Sequence, residues 1–317
     1  MALYLSEQDV SALVTMPMAL AAVESAHRAH VLGRAQDIPR NRIRFPGVTM
    51  HLLQGGVQAE GVLGYKVYTS SREGNRFLVH LYDAATGRPL AVLGADALGM
   101  MRTGAAGGVA AKWLARPDAR IAGVFGAGWQ AQSQIEALCA VRDIEEIKVF
   151  SRRQEPLQAF CRRMSERLGL TVRPATGPEE VVRGSDVVVT VTTSAQPVFE
   201  GAWLEPGTHI NAAGSNSLIR RELDEACLRR CLPIVVDSRA TALKEAGDLL
   251  PLLEKGRSHE GQWVELGEVI AGLRPGRTSP EQISVFESQG MAIQDLALAA
   301  RVLAKARELG LGLELPY

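Results

Sequence analysis

The sequence predicts an α/β protein with an antiparallel sheet near its N terminus and a doubly wound parallel sheet after it. Three observations predict this class. Segments of β character separated by turn residues occupy residues 38–96, strand and helix patterns alternate beyond residue 117, and a glycine-rich turn follows the first of those later strands. The breaking residues Arg116-Pro117-Asp118 mark the expected boundary between the two regions.

The N-terminal region begins with a helical pattern over residues 6–33, in which Ser6 and Asp9 form a capping box. Four β-type segments follow, at 42–45, 62–68, 77–82 and 90–93. Turn residues such as those at 72–75 and 85–87 separate them, which is typical of an antiparallel sheet. A helix is predicted over 98–114. Because glycine weakens helices, the five glycines between Gly94 and Gly108 indicate close backbone packing there.

Strands and helices then alternate in the order of a parallel sheet. The expected strands are 121–125, 147–150, 171–173, 186–192, 208–213 and 234–237. The last predicted helix, residues 290–309, carries a strong apolar stripe.

Composition excludes several functional classes. The 317-residue chain has a formal net charge of +0, so no basic field attracts nucleic acid. It shows no secretory leader and no membrane-length apolar run, and its four cysteines are too few for a disulfide scaffold, so a reduced cytoplasmic protein is expected. We interpret Cys227 and Cys231 as buried residues on one helix face, and His27 and His30 as surface or core residues, so no metal site is expected.

The segment Gly126-Ala127-Gly128-Trp129-Gln130-Ala131 follows an apolar strand and precedes a helical pattern. This is the G-x-G-x-x-G/A arrangement that binds a dinucleotide. Gly126 permits the turn, Gly128 lets the backbone approach a pyrophosphate, and the helix N terminus supplies N–H groups. Gly-Ala-Gly also occurs in ordinary turns, but the strand–turn–helix–strand order favours the dinucleotide interpretation.

The end of the second parallel strand indicates which dinucleotide binds. NAD-specific proteins usually place a carboxylate there, whereas this chain has Ser151, Arg152 and Arg153. A hydroxyl and two guanidinium groups suit a 2′-phosphate, so NADP(H) is favoured and NAD(H) remains possible. The alternative is that one arginine is merely solvated. Thr192 and Thr193 end the fourth strand and are either cofactor neighbours or simple strand-end residues.

Taken together, several short motifs resemble the ornithine cyclodeaminase/mu-crystallin family over nearly the whole chain. The matching segments are Ile38-Pro39-Arg40-Asn41, Tyr65-Lys66-Val67, Met101-Arg102-Thr103-Gly104-Ala105-Ala106, the glycine-rich turn, His209-Ile210-Asn211-Ala212-Ala213-Gly214, Arg221-Glu222-Leu223-Asp224, Ala242-Leu243-Lys244-Glu245-Ala246-Gly247-Asp248, Glu265-Leu266-Gly267-Glu268 and Gly290-Met291-Ala292. The resemblance implies a substrate-binding and dimerisation domain of residues 1–116 plus 290–317, with a Rossmann domain of residues 117–289 inserted. It also implies a homodimer formed through the antiparallel sheets.

The resemblance further implies hydride transfer between a nicotinamide and an α-imino or α-amino carboxylate. By position, Arg40, Lys66 and Arg102 match the family's substrate-binding cations. Arg42 and Arg44 follow at strand spacing and could share or replace the role of Arg40. Lys66 points either into a sheet-lined space or out to solvent, and neighbouring arginines would lower its pKa. Arg102 is interpreted as opening a helix, where a cation is unfavourable unless an anion is near.

The chain departs from the family's pattern at two places. The family's cyclodeaminases and archaeal alanine dehydrogenases carry an aspartate where this chain has Asn216, whereas its mu-crystallin-like ketimine reductases also lack it, and an amide cannot accept a proton as a carboxylate does. Where many members of the family have a Met-Pro-Ala turn, this chain has Met-His-Leu-Leu-Gln-Gly-Gly at residues 50–56. The favoured function is reduction of a small imino acid, chiefly a cyclic ketimine such as Δ1-pyrroline-2-carboxylate or Δ1-piperideine-2-carboxylate. Lys66 and Asn216 are the candidate catalytic residues. Ornithine cyclodeamination, alanine dehydrogenation and a non-enzymatic nucleotide-binding role are the alternatives.

Overall fold

The computed structural model describes residues 2–316. The first helices and strands of the chain are β1 (Ala2–Leu5), α1 (Glu7–Leu13), α2 (Met16–Val31), β2 (Ala35–Phe45), β3 (Val48–Val57), β4 (Val62–Ser71), β5 (Gly74–Asp83), β6 (Pro89–Gly94) and α3 (Asp96–Leu114). The middle of the chain forms β7 (Ile121–Phe125), α4 (Trp129–Val141), β8 (Glu146–Phe150), α5 (Gln154–Leu168), β9 (Thr171–Pro174), α6 (Pro178–Val182), β10 (Val187–Thr190) and β11 (His209–Ala212). The remaining elements are α7 (Glu225–Arg230), β12 (Cys231–Val236), α8 (Arg239–Glu245), α9 (Leu250–Glu254), β13 (Val264–Glu265), α10 (Leu266–Ile270), β14 (Ile283–Glu287), α11 (Ala292–Leu309) and β15 (Leu313–Leu315).

The contact pattern divides the chain into two compact units. The first unit contains the described residues up to Arg102 and those from Gly290 onwards, and the second contains Thr103–Gln289. The division falls inside α3, before the boundary expected at Arg116. The part of α3 after Arg102 belongs to the second unit. Its glycines Gly104 and Gly107 let the helix backbone lie close to Ser133 and Gln134 of α4. A Cβ on Gly104 would lie 2.3 Å from the carbonyl oxygen of Ser133, which confirms the predicted close packing.

The first unit is built on a seven-stranded sheet of order β15-β1-β6-β5-β4-β3-β2. Its strands pair antiparallel except for β1 and β6, which run parallel. Helix α11 packs across one face, against β3, β4, β5 and α2. The apolar stripe predicted for the last helix is therefore the side that covers the sheet.

The helical pattern predicted over residues 6–33 is confirmed, and it forms two helices, α1 and α2, with a break between them. Thr15 caps α2 by accepting from the backbone N–H of Met18, and Pro17 lies in the first turn, where its missing N–H has no cost. The predicted capping box of Ser6 and Asp9 is confirmed. Strand β3 was not predicted. Its Gly55 and Gly56 weaken the β pattern, yet Gly55 is needed because a Cβ there would lie 2.5 Å from the Gln36 carbonyl oxygen.

The second unit contains an eight-stranded sheet of order β13-β12-β14-β11-β10-β7-β8-β9, and all of its pairings are parallel. Apolar clusters cover both faces. The predicted doubly wound sheet is confirmed, with its order reversing between β7 and β10. Strands β13 and β14 were not predicted, and β10 ends at Thr190, so Thr192 and Thr193 follow this strand rather than end it.

No single helix in residues 2–316 is long and apolar enough to cross a membrane. One bent pair, Glu7–Leu13 with Met16–Val31, meets the length and composition criteria together, with a bend of 91°.

Candidate active site

A cavity of about 720 Å³ lies in the second unit, at the carboxyl ends of β7, β8 and β10. The predicted cofactor residues that line it are Gly126, Ala127, Gly128, Ser151, Arg152, Arg153, Thr192 and Thr193. These residues come from three separate loops. They meet because parallel strands present their carboxyl ends at one edge of the sheet, where such folds bind ligands. Trp129 and Gln130 lie in the first turn of α4 and do not line the cavity.

The glycine-rich turn fits a pyrophosphate. Gly126 has a φ of +115°, and a Cβ there would also lie 2.7 Å from the Val191 carbonyl oxygen, so this position requires glycine. A Cβ on Gly128 would meet nothing within 4 Å and would extend into open space. Gly128 caps α4 without a side-chain hydrogen bond, so the first N–H groups of this helix are available to an anion.

Arg152 and Arg153 are exposed beside this turn. Neither forms an ion pair with another residue in the described part of the chain. Two guanidinium groups therefore face solvent at the lining of the cavity, with Ser151 next to them.

A buried carboxylate joins the two loops that follow β10 and β11. The carboxylate of Glu222 accepts the backbone N–H of Thr192 at 2.6 Å and that of Gly214 at 2.8 Å. Burial raises the pKa of Glu222 to about 7, against the lowering effect of these hydrogen bonds. Asp248 in turn accepts the backbone N–H groups of Glu222 and Leu223 at 2.6 and 2.8 Å. The sequence predicts no role for Glu222 or Asp248. Their partners are backbone N–H groups distant in sequence, which a local motif does not reveal.

Lys66 lies on the inner face of the first unit's sheet. Its strand pairing places it in one row with Leu53 and Val79, which are 1% and 0% exposed, while Lys66 itself is 2% exposed. The side chain therefore points inward rather than to solvent. An ammonium group in such a row requires a charged partner, because lysine is almost never buried unpaired.

That partner is Asp295, in the first turns of α11. Its Oδ1 accepts a hydrogen bond from Lys66 Nζ at 2.8 Å and another from Arg102 Nε at 3.1 Å. Arg102 Nη1 also donates to Gln294 Oε1 at 2.9 Å. Two cations thus share one carboxylate oxygen, and with Lys66 protonated the three groups keep one positive charge in excess. This arrangement suits an anionic ligand.

Arg102 does not open a helix. Helix α3 begins at Asp96, so Arg102 lies well within it, and the argument from the helix dipole does not apply. The anion near Arg102 is Asp295. Gly290 leaves room for the guanidinium, since a Cβ at this residue would lie 2.4 Å from Arg102 Nη1.

Arg40 is 8% exposed, and its charge acts on Lys66. The pKa of Lys66 falls to about 7, first because of burial and then because of Arg102, with a smaller contribution from Arg40, while Asp295 opposes the shift. The predicted lowering by neighbouring arginines is confirmed. Arg42 and Arg44 instead lie near His51, whose pKa falls to about 4 through burial and the charges of Arg42, Arg40 and Arg44.

The other residues singled out in the sequence lie elsewhere. Asn216 is in the loop after β11, where its backbone N–H donates to the Gly214 carbonyl. Cys227 lies in α7, but Cys231 begins β12, so the prediction of one helix face is wrong, although both residues are buried. His27 is buried and contacts Gln294 at 3.0 Å. No cluster of three potential metal ligands occurs among residues 2–316.

The fold of the second unit is that of the dinucleotide-binding oxidoreductases. The chain belongs to the ornithine cyclodeaminase/mu-crystallin family, whose model matches residues 2–309. It is 38% identical to an alanine dehydrogenase of Archaeoglobus fulgidus over 99% of this chain and 98% of the relative. It is 36% identical to a Δ1-pyrroline-2-carboxylate reductase of Bacillus cereus over 82% of each chain.

Solved structures agree with this assignment. The Δ1-pyrroline-2-carboxylate reductase of Thermococcus litoralis, in complex with NADH and L-proline, superimposes with a TM-score of 0.94 at 34% identity, covering 99% of this chain and 100% of that one. An archaeal alanine dehydrogenase dimer with bound NAD also gives a TM-score of 0.94, at 36% identity, covering 100% of this chain and 99% of that one.

Proposed function

We propose that this protein is an NAD(P)H-dependent reductase of a small imino acid, with a cyclic ketimine carboxylate as its substrate. The observation that carries the proposal is the buried pair of Lys66 and Arg102 on one oxygen of Asp295. This pair provides a positive site for a carboxylate and a proton donor beside it. The relatives include reductases of Δ1-pyrroline-2-carboxylate, which is such a substrate.

A reduced dinucleotide held by the glycine-rich turn would supply the hydride for the imine carbon. Arg102, assisted by Arg40, binds the substrate carboxylate, because a planar guanidinium can hold a carboxylate through two hydrogen bonds. Lys66 gives its proton to the imine nitrogen. A pKa of about 7 suits this step, since a donor works best when its pKa is near the working pH. Asn216 binds the substrate or the nicotinamide through its amide.

NADP(H) is the proposed cofactor. The support is the pair Arg152 and Arg153 at the end of β8, without a carboxylate that would accept from a ribose hydroxyl. The two structural neighbours named above hold NADH and NAD, so the assay compares both cofactors.

A homodimer is the proposed assembly. On the sheet face opposite α11, the first unit exposes the large apolar side chains Ile43, Phe45, Val48, Met50, Leu63 and Leu78. A contiguous apolar patch of this kind is typical of a protein–protein interface, and one named neighbour is a dimer. The cytoplasmic location stays a prediction from the sequence.

The test supplies purified protein and NADPH or NADH with each of three substrates in turn: Δ1-pyrroline-2-carboxylate, Δ1-piperideine-2-carboxylate, and pyruvate plus ammonia. A separate assay supplies ornithine with NAD. We expect ketimine reduction with NADPH. Faster turnover of pyruvate and ammonia would favour an alanine dehydrogenase, as the A. fulgidus relative is named. Conversion of ornithine to proline and ammonia without ketimine reduction would favour a cyclodeaminase. Nucleotide binding without any turnover would favour a non-enzymatic role.

A further inference from the structure

Asp295 is fully buried, and it lies at the centre of the cation cluster formed with Lys66 and Arg102. It occupies the first turns of α11, while Lys66 comes from β4 and Arg102 from α3, so one carboxylate joins three elements of the first unit. Its other oxygen, Oδ2, is buried and accepts no hydrogen bond from any residue in the described part of the chain. The carboxylate therefore depends on Lys66 and Arg102 for the stabilisation of its charge.

Gln294, the residue before Asp295, fixes the other end of the Arg102 side chain. Its Oε1 accepts from Arg102 Nη1 at 2.9 Å, and its amide nitrogen lies 3.0 Å from His27 Nε2. His27 is itself buried in α2. Since Nε and Nη1 of Arg102 are both held by α11, the plane of the guanidinium is set by this helix. The orientation in which Arg102 meets a ligand thus depends on Asp295 and Gln294 together.

From this geometry we infer that Asp295 is a positioning residue for the reduction: it aligns the Arg102 guanidinium with the substrate carboxylate and holds the Lys66 ammonium protonated beside the imine nitrogen. The inference rests on the proposed function for the identity of the reaction. It requires no contact between Asp295 and the substrate. The negative charge of Asp295 also opposes the lowering of the Lys66 pKa by burial and by Arg102.

The test uses Asp295→Asn and Asp295→Glu in the full-length protein, with Asp9→Asn as the matched control. Asp9 also lies in the first turn of a helix of the first unit, but its partner is Ser6. The readouts are the pH profile of kcat/KM for the ketimine that the wild type reduces, and the affinity for pyrrole-2-carboxylate, a planar carboxylate analogue. Circular dichroism and nucleotide binding check that each variant is folded.

Asp295→Asn removes the charge of the side chain but keeps its shape. The pH at which kcat/KM begins to fall, which marks the high-pH limb of the profile, should therefore be lower by about 1–3 pH units. Asp295→Glu keeps the charge and displaces the two cations, so kcat should fall at least roughly tenfold while the limb stays near its wild-type position. Asp9→Asn should leave the limb unchanged. A folded Asp295→Asn variant with an unmoved limb would overturn the inference. If that variant does not fold, wild-type kcat in Asp295→Glu would overturn it.

The binding measurement separates this inference from the proposed function. If the wild type reduces no ketimine, the proposed function fails. The positioning role still predicts at least roughly tenfold weaker binding of pyrrole-2-carboxylate by Asp295→Glu, because the guanidinium is no longer aligned for two hydrogen bonds. Unchanged affinity in that variant would refute the alignment of Arg102 by Asp295.

Discussion

Lys66 shows how one residue acquires a chemical role from its surroundings. On a strand surface it would be an ordinary solvated cation with a pKa near 10.5, but in this fold it is buried between apolar neighbours and its pKa falls to about 7. Burial is the main cause of this fall in pKa, and the charge of Arg102, which lies far from Lys66 in sequence, adds to it, while Asp295 opposes it. Lys66 is thereby made able to release a proton near neutral pH.

The first prediction concerns the pH dependence of the reduction. Lys66 must be protonated to donate, so its contribution is present below its pKa and lost above it. We expect kcat/KM for ketimine reduction to fall as the pH rises through about 7. Lys66→Met should lose this limb and reduce kcat by roughly 10²–10⁴-fold. Steady-state kinetics from pH 5 to 9, about two units on either side of the pKa, measures both. An identical limb in Lys66→Met would assign the titration to another group.

The second prediction concerns cofactor choice. Replacing Arg152 and Arg153 together by alanine removes the groups proposed to bind a 2′-phosphate. The KM for NADPH should rise by roughly 10–100-fold, since a hydrogen bond to a charged group contributes about 1.5–3 kcal/mol, whereas the KM for NADH should hardly change. Arg162→Ala, an exposed arginine of α5, controls for lost charge. Equal changes for both cofactors would contradict a phosphate-binding role.

At the scale of elements, the loops after parallel strands are shaped by buried acceptors. The loops that follow β10 and β11 lie outside the regular strands, and Glu222 provides acceptors for one backbone N–H from each. Asp248 does the same for the segment that carries Glu222. Through Thr192, Glu222 thus holds one part of the wall of the cavity beside the glycine-rich turn. Buried backbone donors require such partners, because leaving them unpaired is costly.

The third prediction tests this role of Glu222. At pH 6 the carboxyl group is mostly neutral, because its pKa is about 7, so Glu222→Gln changes hydrogen bonding with little change in charge. The amide nitrogen of glutamine cannot accept, and either Thr192 or Gly214 loses its partner. We expect a loss of about 1–3 kcal/mol in unfolding free energy, measured by urea denaturation. Glu200→Gln, on the surface, is the control. Equal stability of the two variants would argue against the role.

The raised pKa of Glu222 also determines whether its contribution to the free energy of unfolding increases or decreases with pH. The folded-state pKa of about 7 lies above the ordinary value of 4.5, so the folded protein binds more protons between these values. This contribution to stability is therefore complete below pH 4.5 and decreases as the pH rises towards 7.

At the scale of the whole molecule, the two units have separate sheets and separate candidate sites. The first holds the cation cluster, and the second holds the cavity lined by the glycine-rich turn. The first unit also exposes one apolar sheet face, on which Phe45 is 69% and Ile43 60% exposed. Leaving such a surface in water is unfavourable, and covering it with a second copy of the chain would remove it from solvent.

The fourth prediction addresses this assembly. Ile43→Asp places a charge on the apolar face, next to Met50, and should convert a dimer to a monomer, because a charge buried at an interface without a partner is costly. Ile219→Asp is the matched control, since Ile219 is 82% exposed and belongs to the second unit. Light scattering coupled to size-exclusion chromatography gives the mass of each. A wild-type monomer, or a dimer retained in Ile43→Asp, would contradict an interface at this face.

The parallel sheet and the glycine-rich turn can be predicted from the sequence, because each rests on a local pattern of spacing and residue type, whereas the candidate cations Arg40, Lys66 and Arg102 are indicated by the resemblance to the family. The break between α1 and α2 also has local signals in Thr15 and Pro17, whereas the strand β3 and the ion pairs of Asp295 depend on tertiary contacts. Asp295 lies within an apolar helix pattern, and nothing nearby in sequence indicates that Lys66 and Arg102 reach it. Only the folded chain brings these charges within hydrogen-bonding distance, and burial, which local sequence does not encode, makes their interaction strong.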